Sequence, residues 1–164
     1  TKMAASKASQ VLVAFEESVQ YYKHPEKVEV VGMPVRQEFL YTTKEQARRE
    51  LGLTGHVVVS AFGSQGARMM NLAMAEFMKL EMDAGYPYQH IHGVGSYGWE
   101  WFPSRLKELG VDVSVGDAID MREYIYNMPT VMAAADIIIS TDGKAAEEIC
   151  DELMDKLKRA KERE

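Results

Sequence analysis

His56-Val-Val-Val-Ser-Ala-Phe62, followed at once by Gly63-Ser-Gln-Gly66 and a long amphipathic stretch, is the segment that decides the fold class. Three consecutive valines suit a strand buried on both faces, as a parallel sheet requires. Beyond Gly66, residues Met70, Ala73, Met74, Phe77, Met78 and Leu80 recur at helical spacing and predict a helix to about Asp83. The same alternation continues downstream. Tyr88–Val94 reads as a strand, Trp99–Leu109 as a helix with Pro103 near its first turn, and Val111–Val115 as a strand. Pro129–Ala135 then reads as a helix and Ile137–Ser140 as a strand. Upstream, Val11–Phe15 and Val28–Val31 are strands around a short helix at Glu16–Lys23 that Pro25 stops. Thr42 with Glu45, or Thr43 with Gln46, supplies a capping box for a helix through Leu51, with Gly52 in the C′ position. The sum is one α/β domain over residues 1–164, doubly wound around a mostly parallel, Rossmann-like sheet of about six strands. In such sheets ligands bind at the carboxyl ends of the strands.

Composition narrows the function classes. Hydrophobic content of 46% and charged content of 27% are those of a globular domain, and a net charge of -6 argues against a nucleic-acid partner. The single cysteine, Cys150, excludes an internal disulfide and argues against a cysteine metal cage. No apolar run is long enough for membrane insertion, and no secretory h-region follows Thr1, so a cytoplasmic protein is expected.

The strand-end loops are the candidates for chemistry. Gly63–Gly66 joins a strand to a helix. Its two glycines allow close backbone approach, Ser64 adds a hydroxyl, Arg68 lies in the first helical turn, and the helix start is partially positive. This suits a phosphate or pyrophosphate, and it equally suits a tight turn with no ligand. His90 and His92, two apart on one strand, face the same way; a metal pair and a pair of packed strand-end histidines both fit, the second better because no carboxylate adjoins them in sequence. Trp99 and Trp101 read as packing residues. Glu123–Pro129 enters a helix as an apolar loop whose backbone can read a flat base edge. Cys150, on the apolar stripe of the last segment, has no base beside it and is read as structural. That segment, Gly143–Glu164, repeats Ala146, Cys150, Leu153, Leu157 and Ala160 between charged faces and predicts a long amphipathic helix, with homodimerisation through it as one outcome.

Four stretches together resemble MurG-type glycosyltransferases. They are Val31-Gly-Met-Pro-Val-Arg36, Ala47-Arg-Arg-Glu-Leu-Gly-Leu53, Phe62-Gly-Ser-Gln-Gly-Ala-Arg68, and Tyr124-Ile-Tyr-Asn-Met-Pro129 with Ala133–Asp136, in family order and spacing across roughly residues 10–143. The resemblance implies half of a GT-B fold, a cytoplasmic location at the inner membrane face, and a donor site for UDP or UDP-GlcNAc in an enzyme of lipid II synthesis that needs no metal and no cofactor. It implies that Ser64, Gln65 and the backbone of Gly63 and Gly66 hold the diphosphate. Ile125 would meet uracil through its main chain, Tyr124 and Met128 would wall the base, and Arg36 would lie near the donor.

The departures are specific. Phe62 stands where the family has the first glycine of its turn, and Ile149 stands in register with the glutamate that grips the ribose. Glu148 is one residue, about 100° of helix, away from that register. Residues 144–164 form a charged helix foreign to the family, and the family's acceptor domain has no counterpart in the sequence. The expectation is a UDP-GlcNAc-binding domain with no catalytic residues of its own, incomplete as a hexosyltransferase. An engineered α/β scaffold with a vestigial nucleotide site stands as the alternative, and a transferase completed by a partner chain as a third reading. Val11–Val31 is expected to fill a sheet position beside Ile137–Ser140.

Overall fold

The computed structural model describes residues 2–114, 118–136, 148, 151, 152 and 155. The chain divides into two compact units, Thr1–Leu40 and Tyr41–Glu164.

The first unit holds α1 (Lys2–Ala5), β1 (Val11–Val13) and β2 (Val28–Val30). The strands pair in parallel, Val11 with Val28 and Val13 with Val30, so the expected strand–helix–strand element is present. The connecting helix, Glu16–Tyr21, is 3₁₀ rather than α. A six-residue segment halted just before Pro25 closes i→i+3 bonds, such as Ser18 N–H to the Phe15 carbonyl, more readily than a full α-helical ladder. A single turn, α2 (Glu38–Tyr41), leads into α3 (Lys44–Leu51) of the second unit.

Of the two capping boxes the sequence offers, the structure uses the second. The Thr43 hydroxyl accepts from Gln46 N–H, and Thr43 N–H donates to Gln46 Oε1, each at 3.3 Å. Gly52 closes the helix at φ 66°, which a glycine adopts without steric cost. Replacing Thr43 by Ala is expected to lower unfolding free energy by about 1 kcal/mol, read as a lower urea midpoint at unchanged m-value.

The second unit continues with β3 (Val57–Ala61), α4 (Arg68–Asp83), β4 (Gln89–Gly93), α5 (Ser96–Trp99), α6 (Phe102–Glu108), β5 (Ile119–Arg122) and α7 (Met128–Ala134). Its sheet runs β3-β4-β5, all parallel, with Ala61 opposite Gly93 and Gly93 opposite Arg122. Helices cover both faces. On one, Ala75 and Met78 of α4 pack with Phe102 and Leu106 of α6 over Val94 and Ile119. On the other, Ile91, Ile125 and Val131 pack with Leu51, Leu53 and Val59. The start of β3 is tied down by Asp136. Its Oδ2 accepts Val57 N–H at 2.7 Å, its own N–H donates to the Val57 carbonyl at 3.0 Å, and it pairs with Lys44 and Arg48 of α3. Partial burial pushes its pKa up, but the Lys44 bond, the Val57 N–H and the two cations outweigh that and hold it below the ordinary aspartate value.

The structure departs from the pattern of the sequence at three places, the first two of them corrections. Residues 111–114 are not a strand. Gly110 (φ 70°) ends α6, Val111 N–H bonds back to the Leu106 carbonyl at 2.9 Å, and Val111 caps the core beside it. Asp112 Oδ1 then accepts from Ser114 N–H at 2.9 Å and from its hydroxyl at 2.6 Å, closing an Asx turn. The strand lies later, at Ile119–Arg122. The helix expected over Trp99–Leu109 is two pieces, α5 and α6, because Pro103 fits only the first turn of a helix beginning at Phe102. Finally, the buried face of α4 is Asn71, Met74, Ala75, Phe77, Met78 and Glu81, whereas Leu80 is exposed.

The strand expected at residues 137–140, its pairing with residues 11–31, Ile149 and Cys150 lie outside the described residues. Of the terminal segment, Glu148, Asp151, Glu152 and Asp155 are described and are helical. Among the described residues no helix is long and apolar enough to cross a membrane.

Candidate functional site

Two glycine-rich loops interlock at the carboxyl end of the sheet. The first, Gly63–Gly66, leaves β3 with both glycines at positive φ (80° and 78°) and closes on itself through Gly66 N–H to the Gly63 carbonyl at 3.2 Å. The second, Val94–Gly98, leaves β4. Ser96 N–H donates to the Ser64 carbonyl and Tyr97 N–H to the Gln65 carbonyl, both at 3.2 Å. The fit leaves no room for side chains. A Cβ on Gly95 would stand 2.1 Å from Gly66 N, and one on Gly66 would stand 2.2 Å from the Val94 carbonyl oxygen.

Asn71, buried in the first turns of α4, donates from Nδ2 to that same Val94 carbonyl at 2.7 Å, and its Oδ1 has no partner. Gly98 leaves the space that the Asn71 amide fills, since a Cβ there would lie 2.5 Å from Nδ2. No side chain caps α4, whose N-cap is Ala67. The turn therefore presents the exposed side chains of Ser64 and Gln65 at the positive end of a 16-residue helix.

A third segment joins these two. Glu123, after β5, accepts Gly95 N–H at 3.0 Å through its carbonyl. Ile125 is buried, with its Cδ1 3.1 Å from where a Gly93 Cβ would be, so its side chain belongs to the core. Tyr124 and Tyr126 on either side project outward, their rings 4.8 Å apart at 62°. Arg122 shapes this segment by bonding Asp120 Oδ2 at 2.6 and 3.0 Å and Asn127 Oδ1 at 3.2 Å. Met128 begins α7, half-buried against the cluster of Ile91, Ile125 and Val131.

The structure thus gathers Gly63, Ser64, Gln65, Gly66, Tyr124, Ile125 and Met128 at one end of one sheet. Arg36 belongs to the first unit, where its guanidinium lies 5.7 Å from the Phe39 ring centre. Arg68 is stacked over Trp101 at 4.8 Å, which engages its charge in a cation–π contact. In sequence Gly95–Gly98 reads only as a flexible loop, and neither Asn71 nor Arg122 stands out as a site residue. Asn71 carried a signal: it is polar, yet sits three residues before Met74 on the face that faces the core.

The two histidines are fully buried and hydrogen-bonded. Ser60 Oγ lies 2.7 Å from both His90 Nε2 and His92 Nδ1, and His90 Nδ1 lies 2.8 Å from Glu81 Oε2. Phe62, the residue before the turn, packs its ring 6.1 Å from His92, and Phe102 lies 5.1 Å away on another side. Burial above all, and then the neighbouring His90, drive the His92 pKa down to about 3. Among the described residues no three His, Cys, Asp or Glu side chains converge as metal ligands.

The profile of the glycosyltransferase family 28 C-terminal domain matches residues 57–148. Curated relatives bear the name UDP-N-acetylglucosamine--N-acetylmuramyl-(pentapeptide) pyrophosphoryl-undecaprenol N-acetylglucosamine transferase. The protein of Thermoanaerobacter sp. (strain X514) is 39% identical over 135 residues, covering 81% of this chain and 36% of the relative. That of Desulforamulus reducens is 34% identical over 140 residues, 84% of this chain and 37% of the relative. That of Desulforudis audaxviator is 32% identical over 145 residues, 87% of this chain and 38% of the relative. The chain spans between a third and two fifths of the length of these relatives.

Proposed function

The chain belongs to the glycosyltransferase family 28 C-terminal domain, and on that premise we propose that it binds the nucleotide-sugar donor UDP-N-acetylglucosamine at the carboxyl end of the β3-β4-β5 sheet. The observation that carries the proposal is the Gly63–Gly66 turn at the uncapped start of α4, locked against the β4 exit and joined through it to the Ile125 loop. The diphosphate sits on the turn, held by backbone N–H groups and by Ser64 and Gln65, where the helix start favours negative charge. The base meets the main chain of Ile125, whose side chain is occupied in the core. Tyr124 and Met128 flank it.

Sugar transfer to a lipid-linked acceptor is named for the relatives. What we propose for this chain is the binding of the donor. Isothermal titration with UDP and with UDP-N-acetylglucosamine is the test. One-site saturable binding of both is expected. No heat at millimolar UDP would sink the proposal and favour a scaffold with a vestigial site, a reading supported by Phe62 beside the turn and by Arg68 engaged on Trp101.

A further inference from the structure

The polar chain beneath the site fixes its own proton positions. Ser60 has a single hydroxyl hydrogen, and both its partners are imidazole nitrogens, at 2.7 Å each. Donating to one and accepting from the other uses that hydrogen, whereas accepting from both would leave it without either ring as a partner; the first arrangement makes His90 Nε2 and His92 Nδ1 differ in protonation. Two directions remain. In one, His92 Nδ1–H donates to Ser60, Ser60 donates to His90 Nε2, and His90 Nδ1–H donates to Glu81. Both histidines are then neutral, and the carboxylate is left as a lone buried charge with Oε1 unpartnered. In the other, His90 Nε2–H donates to Ser60 and Ser60 donates to His92 Nδ1, with one proton held between Glu81 and His90.

The second direction leaves no net charge in the layer between α4 and the sheet. Glu81 and His90 are 3% and 1% exposed, and an uncompensated charge at that depth is strongly disfavoured. Among the described residues Tyr86 and Tyr88 also lie near Glu81, and burial above all holds their phenols neutral. Neither offers a cation. The cost of this direction is an unpartnered Nε2–H on His92, whose ring lies among those of Phe62 and Phe102.

We propose that Glu81, His90, Ser60 and His92 form a net-neutral hydrogen-bond relay running from His90 to His92, and that Ser60 acts through it as a positioning residue for the donor turn. Ser60 and His92 are register partners on β3 and β4. Each lies three residues before a glycine of the interlock, Gly63 on one strand and Gly95 on the other. The relay therefore couples the two strand ends from which the interlocked loops depart. This role rests on the donor-binding reading; the proton assignment does not.

Nitrogen-15 NMR of the imidazoles in the unaltered protein at pH 7 tests the assignment. His92 is expected as the Nε2–H form with a bare Nδ1. Protonation at His92 Nδ1, or rapid exchange between the two forms, overturns the relay. For the positioning role, Ser60→Ala is expected to weaken UDP binding about tenfold and to release the His92 tautomer, while Ser60→Thr, which keeps the hydroxyl, restores both. Unchanged UDP affinity in Ser60→Ala, or no rescue by Ser60→Thr, overturns the positioning role. Should Ser60→Ala fail to fold, Ser60→Thr must still bind UDP as the unaltered protein does, and a tenfold loss there overturns it equally. If the unaltered protein binds no UDP, the donor reading fails while the tautomer result stands on its own.

Discussion

Acidification from pH 6.5 to pH 3 is expected to remove about 4 kcal/mol of unfolding free energy through His92 alone. The pKa of this imidazole is about 3 in the folded protein against 6.5 for the free side chain. As the pH falls through 6.5 the unfolded chain takes up a proton that the folded protein refuses until about pH 3. The contribution is therefore complete well above pH 6.5 and declines by up to about 1.4 kcal/mol per pH unit below it. Asp136 acts with the same sign in a lower window. Its depressed pKa stabilises the fold above the ordinary aspartate value and is lost as the pH falls through the folded value. Urea unfolding at pH 7, 5 and 4 separates the two, since Asp136 contributes little at pH 5. His92→Asn should flatten the slope between 6.5 and 4. Equal stability of the unaltered protein at pH 7 and pH 4 would show that His92 is not held neutral by burial.

The second large effect is expected at Gly95. An alanine there is strained twice, by a φ of 83° and by a Cβ 2.1 Å from the Gly66 nitrogen and 2.4 Å from the Gln65 carbonyl carbon. Both obstacles are backbone and cannot rotate away. The dihedral alone costs roughly 1–2 kcal/mol, and displacing packed backbone adds roughly 1–3 more. Gly85→Ala supplies the control, because Gly85 has a φ of 77° and open space around its missing Cβ. Thermal unfolding of the two variants should differ by the cost of overlap, with Gly95→Ala the less stable. UDP binding should be lost in Gly95→Ala and kept in Gly85→Ala. Equal stability of the two would mean that the loops do not interlock.

Much of this architecture was written in the sequence because the signals were local. Val57–Val59 declared a buried parallel strand, Thr43 with Gln46 declared a helix start, and the Gly63–Gly66 turn declared itself by spacing. What escaped was set by partners distant in sequence. Val111–Val113 has the alternation of a strand, yet its valines finish a helix cap and an Asx turn. Ile119–Arg122 is a strand whose short apolar–charged alternation became meaningful only beside β4. Leu80 sits at helical spacing and is exposed, while Asn71 and Glu81 occupy the buried face, since each has a polar partner waiting on β4 or its exit. Of the candidate site, the turn and the Ile125 loop were legible. Gly95 was visible only as a flexible loop residue, because its constraint is contact with Gly66 across the sheet. The carboxylate needed to interpret His90 and His92 lies on α4, nine residues from His90 and outside the strand pattern.

The interlock also bears on cooperativity. Ser96 and Tyr97 carry exposed side chains, yet their amides are spent on carbonyls of the facing turn, and Gly95 is bonded to the segment after β5. A loop built this way cannot open by itself. Freeing those amides requires the exits of β3, β4 and β5 to separate together, so this rim should exchange its amide hydrogens on the timescale of the core. A ligand seated on that rim would be reinforcing the whole sheet rather than ordering a loose strap.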